Sequence, residues 1–277
     1  WDQLWLDVCV NHPVRDEWWD ERDLTPLLRN IDIPVYLGCD WENVPLHLPS
    51  TFIAWKGLAH NPNVRLGMLD KFGLTWPWES LHTEALAWYD HWLRGADTGI
   101  MAGPAVRYVL PGTEGWRTSP TWPPAATNRL FALRGDGSLN EDEGEPGHRE
   151  YLSLGTGLNR AKASPTDPPS SLMWTSAPLP ADLDVVGAIE LRLEASATAA
   201  DTAWIATLQD LAPDNEVTDV TAGWVRASLR TVDDAASHDG TPVLPCDEAV
   251  AVAVGEKLTY RIPLVPNARR FHAGHRV

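Results

Sequence analysis

The sequence predicts an α/β portion followed by an all-β portion, and three observations carry that prediction. Two short apolar runs, one bounded by Pro34 and Gly38 and one spanning Val64 to Leu69, read as central parallel strands. An amphipathic helix is predicted from Glu79 to Arg94. Beyond residues 111–127, strict two-residue alternation replaces helical periodicity.

The elements follow in order. Asp16 to Leu24 is polar but carries Trp18 and Trp19, which predicts a short helix that packs only its tryptophans. Leu27, Leu28 and Ile31 to Ile33 lead into the first strand, which ends in Gly38-Cys39-Asp40-Trp41-Glu42-Asn43. In the long helix, Leu81, Ala85, Trp88 and Trp92 form a stripe that Leu86, Tyr89 and Leu93 are expected to widen. Glu79 in the first turn, Arg94 in the last and Gly95 behind it suit the helix dipole and the C-cap.

Pro and Gly become dense from Val109-Leu110-Pro111-Gly112 onward, and the acidic run Glu141 to Glu145 reads as a solvated loop. Three segments then alternate: Ile189/Leu191/Leu193/Ala195, Val225/Ala227/Leu229 and Leu258/Tyr260/Ile262/Leu264. The first sets Glu190, Arg192 and Glu194 on its opposite face. With turn residues such as Pro213-Asp214-Asn215 between them, these predict an antiparallel sandwich.

Composition narrows the function. A net charge of −16, from 22 basic and 38 acidic residues, argues against a nucleic-acid backbone as partner. No apolar run approaches the roughly 20 residues that span a bilayer, so no membrane-spanning helix is expected. Cys9, Cys39 and Cys246 are too few and too scattered for a disulfide framework or a zinc site, which fits a reduced, cytoplasmic setting. The fifteen tryptophans are expected mainly to fill cores and anchor loops. The start at Trp1 and the end at Gly274-His275-Arg276-Val277 are read as those of an internal segment of a longer protein.

No nucleotide-binding glycine loop or HExxH spacing occurs, so no cofactor and no metal are expected. Asp210, Asp214 and Asp219 lack the alternate-residue pattern of a calcium loop.

Several stretches together resemble the cocaine esterase/X-Pro dipeptidyl-peptidase (CocE/NonD) hydrolases. They are Ile33 to Asn43, the helix end Trp88-Tyr89-Asp90-His91-Trp92-Leu93-Arg94-Gly95, Leu110-Pro111-Gly112 through Trp116-Arg117, and Trp122-Pro123-Pro124. Thr175 to Leu179, Asp182 to Gly187 and Pro266 to Arg276 extend the likeness over nearly the whole chain. The resemblance implies an α/β-hydrolase domain, a helical cap and a C-terminal jelly roll, with a Ser-Asp-His triad that cleaves small-molecule esters or amides. In that layout residues 1–111 are the C-terminal part of the hydrolase domain with a remnant of the cap. Residues 112–277 are the X-Pro dipeptidyl-peptidase-type jelly roll, short of its last strands.

The triad positions depart from the pattern. No Gly-x-Ser-x-Gly elbow is present, and Gly135-Asp136-Gly137-Ser138 lacks the strand and helix an elbow needs, so the nucleophile is absent. Where the family carries its acid, this chain has Asn43, which cannot hold the negative charge that stabilises an imidazolium. Asp40 and Glu42 flank it as substitutes, sharing one face if the segment stays extended. Their alternative reading is plain turn chemistry.

The loop Leu69 to Trp76, where the family has its histidine, contains none. His82, in the first turn of the helix, is the remaining candidate base, at the dipole end that disfavours a positive charge. His12, His47, His60 and His91 have weaker claims, and His272 and His275 match non-catalytic family positions. Two readings therefore stand: a hydrolase segment with displaced partners, or a degenerate homologue that binds a ligand or partner. A homo-oligomer is compatible with either.

Overall fold

The computed structural model describes residues 1–44, 46–70, 82–145, 147–153 and 170–277. It divides into two compact units. The first comprises Trp1–Pro124, Val185–Leu208 and Asp219–Arg270; the second comprises Ala125–Asp184, Gln209–Thr218 and Phe271–Val277.

The first unit opens with α1 (Asp2–Leu6), which continues into a π-helical turn at Asp7–Asn11. The expected Trp-bearing helix is a single turn, α2 (Glu17–Asp20), whose N-cap Asp16 accepts the Trp18 N–H at 3.0 Å. A 3-10 segment, Thr25–Asn30, precedes β1 (Val35–Asp40). Next come α3 (His47–Gly57), β2 (Val64–Leu69), α4 (His82–Arg94), β3 (Val106–Val109) and β4 (Trp116–Ser119). The four strands form one sheet in the order β1-β2-β3-β4. The first three are parallel, as the two apolar runs predict for β1 and β2; β3 and the antiparallel β4 were not anticipated.

Helix α3 has no counterpart in the sequence reading. Pro49 sits in its first turn, where the missing N–H is harmless, and no clear apolar stripe announces it. Leu48, Thr51 and Phe52 are nevertheless its buried residues.

Helix α4 ends as expected, with Gly95 at φ +69° donating its N–H to His91 O. Glu79 and Leu81 lie outside the described residues. The stripe itself is narrower than periodicity suggests. Trp88 is buried, whereas Leu86, Tyr89 and Leu93 are exposed, at 61%, 60% and 78%. Periodicity marks a preferred face; how far neighbours wrap around it is a tertiary matter.

One close approach decides how α4 meets the sheet. A Cβ at Gly67 would lie 2.7 Å from the Tyr36 hydroxyl, so only glycine lets that ring cross β2. The ring meets Trp88 edge-on, with centroids 5.4 Å apart.

The all-β elements are β5 (Ala132–Leu133), β6 (Ser138–Asn140), β7 (Thr175–Ser176), β8 (Leu183–Ala195), β9 (Ala203–Leu211), β10 (Val217–Arg226) and β11 (Leu258–Phe271). They form a sheet ordered β5-β6-β7 and another ordered β8-β11-β10-β9. Tyr260, Ile262 and Leu264 are buried, as alternation predicts. In the alternating segment Val225/Ala227/Leu229 the strand stops at Arg226 and a 3-10 turn, Ala227–Leu229, takes over. Residues 141–145 are exposed, in line with a solvated loop.

Glu190 departs from its expected solvent-facing place. Its side chain is only 5% exposed and receives Arg261 at 2.6 and 3.1 Å, Arg192 at 3.0 Å and the Gly240 N–H at 3.0 Å. Burial alone would raise this carboxyl, yet the Arg261 and Arg192 bonds outweigh it and hold it at about 2.

Two predictions follow from this packing. Because the Glu190 pKa is depressed on folding, its contribution is complete above pH 4.5 and lost as pH falls toward 2. Glu190→Gln should cost about 3 kcal/mol at pH 7 and much less near pH 2.5, measured by urea titration at both values. At Gly223, paired with Leu264, an added Cβ would meet backbone, 2.7 Å from the Leu264 Cα. Gly223→Ala should lower stability by about 3 kcal/mol in the same titration.

Candidate active site

Strand β1 delivers its end residues to the carboxyl edge of the parallel sheet, where open α/β sheets place their sites. Asp40 is buried, and its Oδ1 accepts the N–H groups of Glu42 and Asn43, both at 3.1 Å. The chain therefore turns at Asp40 instead of staying extended. This corrects the expected parity: Asp40 is inside and Glu42 is exposed. The Asn43 carbonyl accepts from Leu46 and Leu48, leading the chain into α3.

Trp41 fixes the turn. Its indole donates to Val109 O at 2.7 Å, and its carbonyl accepts from Asn267 Nδ2 at 3.1 Å. Its ring packs against Trp122 and Phe52, with centroids 5.4 and 6.3 Å away. Cys39 is buried beside it; burial, reinforced by the Asp40 charge, pushes its thiol up. The thiol stays protonated and serves as core.

His82 is the first residue of α4 and is exposed. Among the described residues, the Asp40 hydrogen bonds are local to its turn, and none joins it to His82. The structure thus places one candidate, Asp40, in a structural role already, and leaves Glu42 and His82 at the surface. The loop Lys71 to Trp76 lies outside the described residues.

Five other histidines lie near polar partners. His12 Nδ1 lies 2.7 Å from Asp16 Oδ2, and its ring stacks on Trp18 at 4.9 Å. His60 is 3.7 Å from Asp32, and His91 Nδ1 is 3.2 Å from Ala96 O. In the second unit, His275 Nδ1 meets the buried Asp210 at 2.7 Å, and His272 lies 3.8 Å from Asp182. Ser138 donates to Asp136 at 2.7 Å within the turn from β5 to β6, which suits a turn residue and not an exposed nucleophile.

Two features went unread in the sequence. Glu84, two residues after His82, is a largely buried carboxylate that accepts from the Tyr36 hydroxyl and from Arg107. Its partners are 48 and 23 residues away, so no local pattern points to it. In the first unit, a groove of roughly 530 Å³ is lined by Val8, His12, Arg15, Trp19, Leu244 and Cys246, among others. Cys246 has φ +58°, and burial pushes its thiol up.

Among the described residues, no three His, Cys, Asp or Glu side chains are placed to hold a metal ion. No helix among them is long and apolar enough to cross a membrane.

Residues 98–277 match the family model of the X-Pro dipeptidyl-peptidase C-terminal non-catalytic domain. The chain belongs to that family. It is 25% identical over 312 residues to the cocaine esterase of a Rhodococcus species, spanning 98% of this chain and 52% of the esterase. A Mycobacterium bovis protein that bears a serine esterase name is 29% identical over 225 residues, covering 70% of this chain and 34% of that protein. The chain thus spans about half, or less, of the length of these curated relatives.

Among solved structures, an α-amino acid ester hydrolase superposes with a TM-score of 0.78 at 17% identity, covering 99% of this chain and 52% of its own. A CocE/NonD family hydrolase from Staphylococcus aureus gives 0.77 at 19%, covering 96% and 49%. The likeness to these two is one of fold. The matched family domain is described as non-catalytic, which directs attention to residues before 98.

If Asp40 works through its turn, Asp40→Ala leaves two N–H groups without their acceptor. It should cost about 1–2 kcal/mol of stability. Thermal melting of the purified chain checks this, and an unchanged midpoint would remove Asp40 from the structural role.

Proposed function

We propose that this chain is part of a serine hydrolase that cleaves small-molecule esters or amides. Residues 1–111 are its share of the α/β-hydrolase domain with the end of a cap, and residues 112–277 are a C-terminal jelly roll. The observation that carries the reading is the parallel register of β1, β2 and β3, which sets the Asp40–Asn43 turn at the carboxyl edge of the sheet. The esterase relatives support the chemistry.

In this reading the nucleophile and oxyanion hole lie in sequence beyond these 277 residues. His82 takes the serine proton as Oγ attacks the carbonyl, Glu42 or Asp40 stabilises the resulting imidazolium, and water then clears the acyl-enzyme. Of the two carboxylates, Glu42 is favoured, because the Asp40 carboxylate is already engaged by its own turn.

A second reading has specific support as well. Asn43 at the expected acid position and the local use of Asp40 fit a homologue that has lost catalysis and binds a ligand or partner.

Fluorophosphonate labelling of the full-length protein separates the two. Labelling that falls at least a hundredfold in His82→Ala and in Glu42→Ala is expected for the hydrolase, as losses of triad members are severe. No labelling of the full-length protein would favour the binding reading, and full labelling in both variants would remove these residues from the site. The 277-residue chain alone should neither label nor turn over an ester.

A further inference from the structure

Strand β1 ends the sheet on one side. Among the described residues it pairs only with β2, through consecutive positions from Val35 to Asp40. The phase of that ladder is fixed at both ends. The Val35 N–H donates to Asn63 O at 3.0 Å, and the Trp41 N–H donates to Leu69 O at 3.3 Å. Backbone polar groups alternate in direction along a strand, so Leu37 and Cys39 also face β2. Tyr36 and Gly38 therefore turn their N–H and C=O groups outward. Gly38 is exposed, and an added Cβ there would meet only the Gly67 O, at 3.2 Å.

An open edge of this kind is normally blunted by lysine, proline, a bulge or sheer shortness. Strand β1 uses none of these: Val35 to Asp40 contain no basic residue and no proline, and the register with β2 is unbroken. The opposite edge differs. Strand β4 is four residues long, carries Arg117 and is followed by Pro120. The apolar surface beside β1 is also uncovered. Leu24, Leu27 and Ile33, on the segment leading into the strand, are each more than half exposed.

We propose that the outer edge of β1 receives a further strand from the part of the full-length polypeptide that lies outside these 277 residues. Two observations favour that occupant. The chain spans 52% of the Rhodococcus esterase, so a protein of that length has about as much chain again to supply. A second copy is the competing occupant, and a net charge of −16 on each copy opposes it. The added strand bonds to Tyr36 and Gly38 by strand addition, with main-chain hydrogen bonds holding it. The segment that brings it covers Leu27 and Ile33. This pairing concerns how the sheet is completed, and it holds whether or not the candidate site is catalytic.

Amide hydrogen exchange at single-residue resolution tests this, in the full-length protein at a concentration where it is monomeric and in the 277-residue chain. Leu37 and Cys39 are internal controls, since their N–H groups face β2 in both. In the full-length protein, Tyr36 and Gly38 should be as slow as these controls. In the 277-residue chain they should exchange at least about a hundredfold faster than the controls. Should the shorter chain fail to fold, which lost protection at Leu37 and Cys39 reports, the full-length profile decides. Fast exchange at Tyr36 and Gly38 in the full-length protein, beside protected Leu37 and Cys39, overturns the proposal. So does protection of Tyr36 and Gly38 in the 277-residue chain by itself; protection that grows with concentration assigns the edge to a second copy.

Discussion

Trp41 is the residue on which the first unit depends. It follows the last residue of β1, and both its side chain and its backbone are committed: the indole to Val109 O, the carbonyl to Asn267. Asn267 is 226 positions away in sequence and almost fully buried. Its amide oxygen accepts the Ala268 N–H, so the amide is used at both ends. Around this joint, Cys39, Phe52, Leu66, Tyr108, Trp122 and Val265 pack into one core. A buried polar group costs free energy unless it is bonded, so a satisfied pair of this kind permits one register and penalises others. The turn at Asp40 and the start of α3 inherit their positions from it.

The polar contacts of the first unit divide by what they do. Glu190, gripped by two arginines and a backbone N–H, is a closed network whose carboxylate is held ionised. Under α4, by comparison, the Glu84 carboxylate is shared by the Tyr36 hydroxyl and Arg107.

Much of the fold was legible because it is carried by local patterns. The continuous apolar runs gave β1 and β2, the glycine behind Arg94 marked the end of α4, and alternation gave β8 and β11. Helix α3 was not legible, since Pro49 masks a start that its first-turn position in fact tolerates. The exposure of Leu86, Tyr89 and Leu93 was also hidden, because a helical stripe says nothing about the width of what covers it. In the candidate site, the strand end was found but the roles within it were not. Extended-chain parity put Asp40 and Glu42 on one face, and a turn closed by the Asp40 carboxylate set them apart.

By itself the sequence determined the order of α/β and all-β elements, the acidic character of the chain and the family resemblance. These rest on composition and on periods of two or 3.6 residues, which are properties of neighbours in the chain. Only the tertiary structure decided that Asp40 is spent on its own turn and that Glu84 is shared by Tyr36 and Arg107. Those outcomes depend on which distant residues meet and on how much water is excluded where they do. No local pattern encodes either quantity.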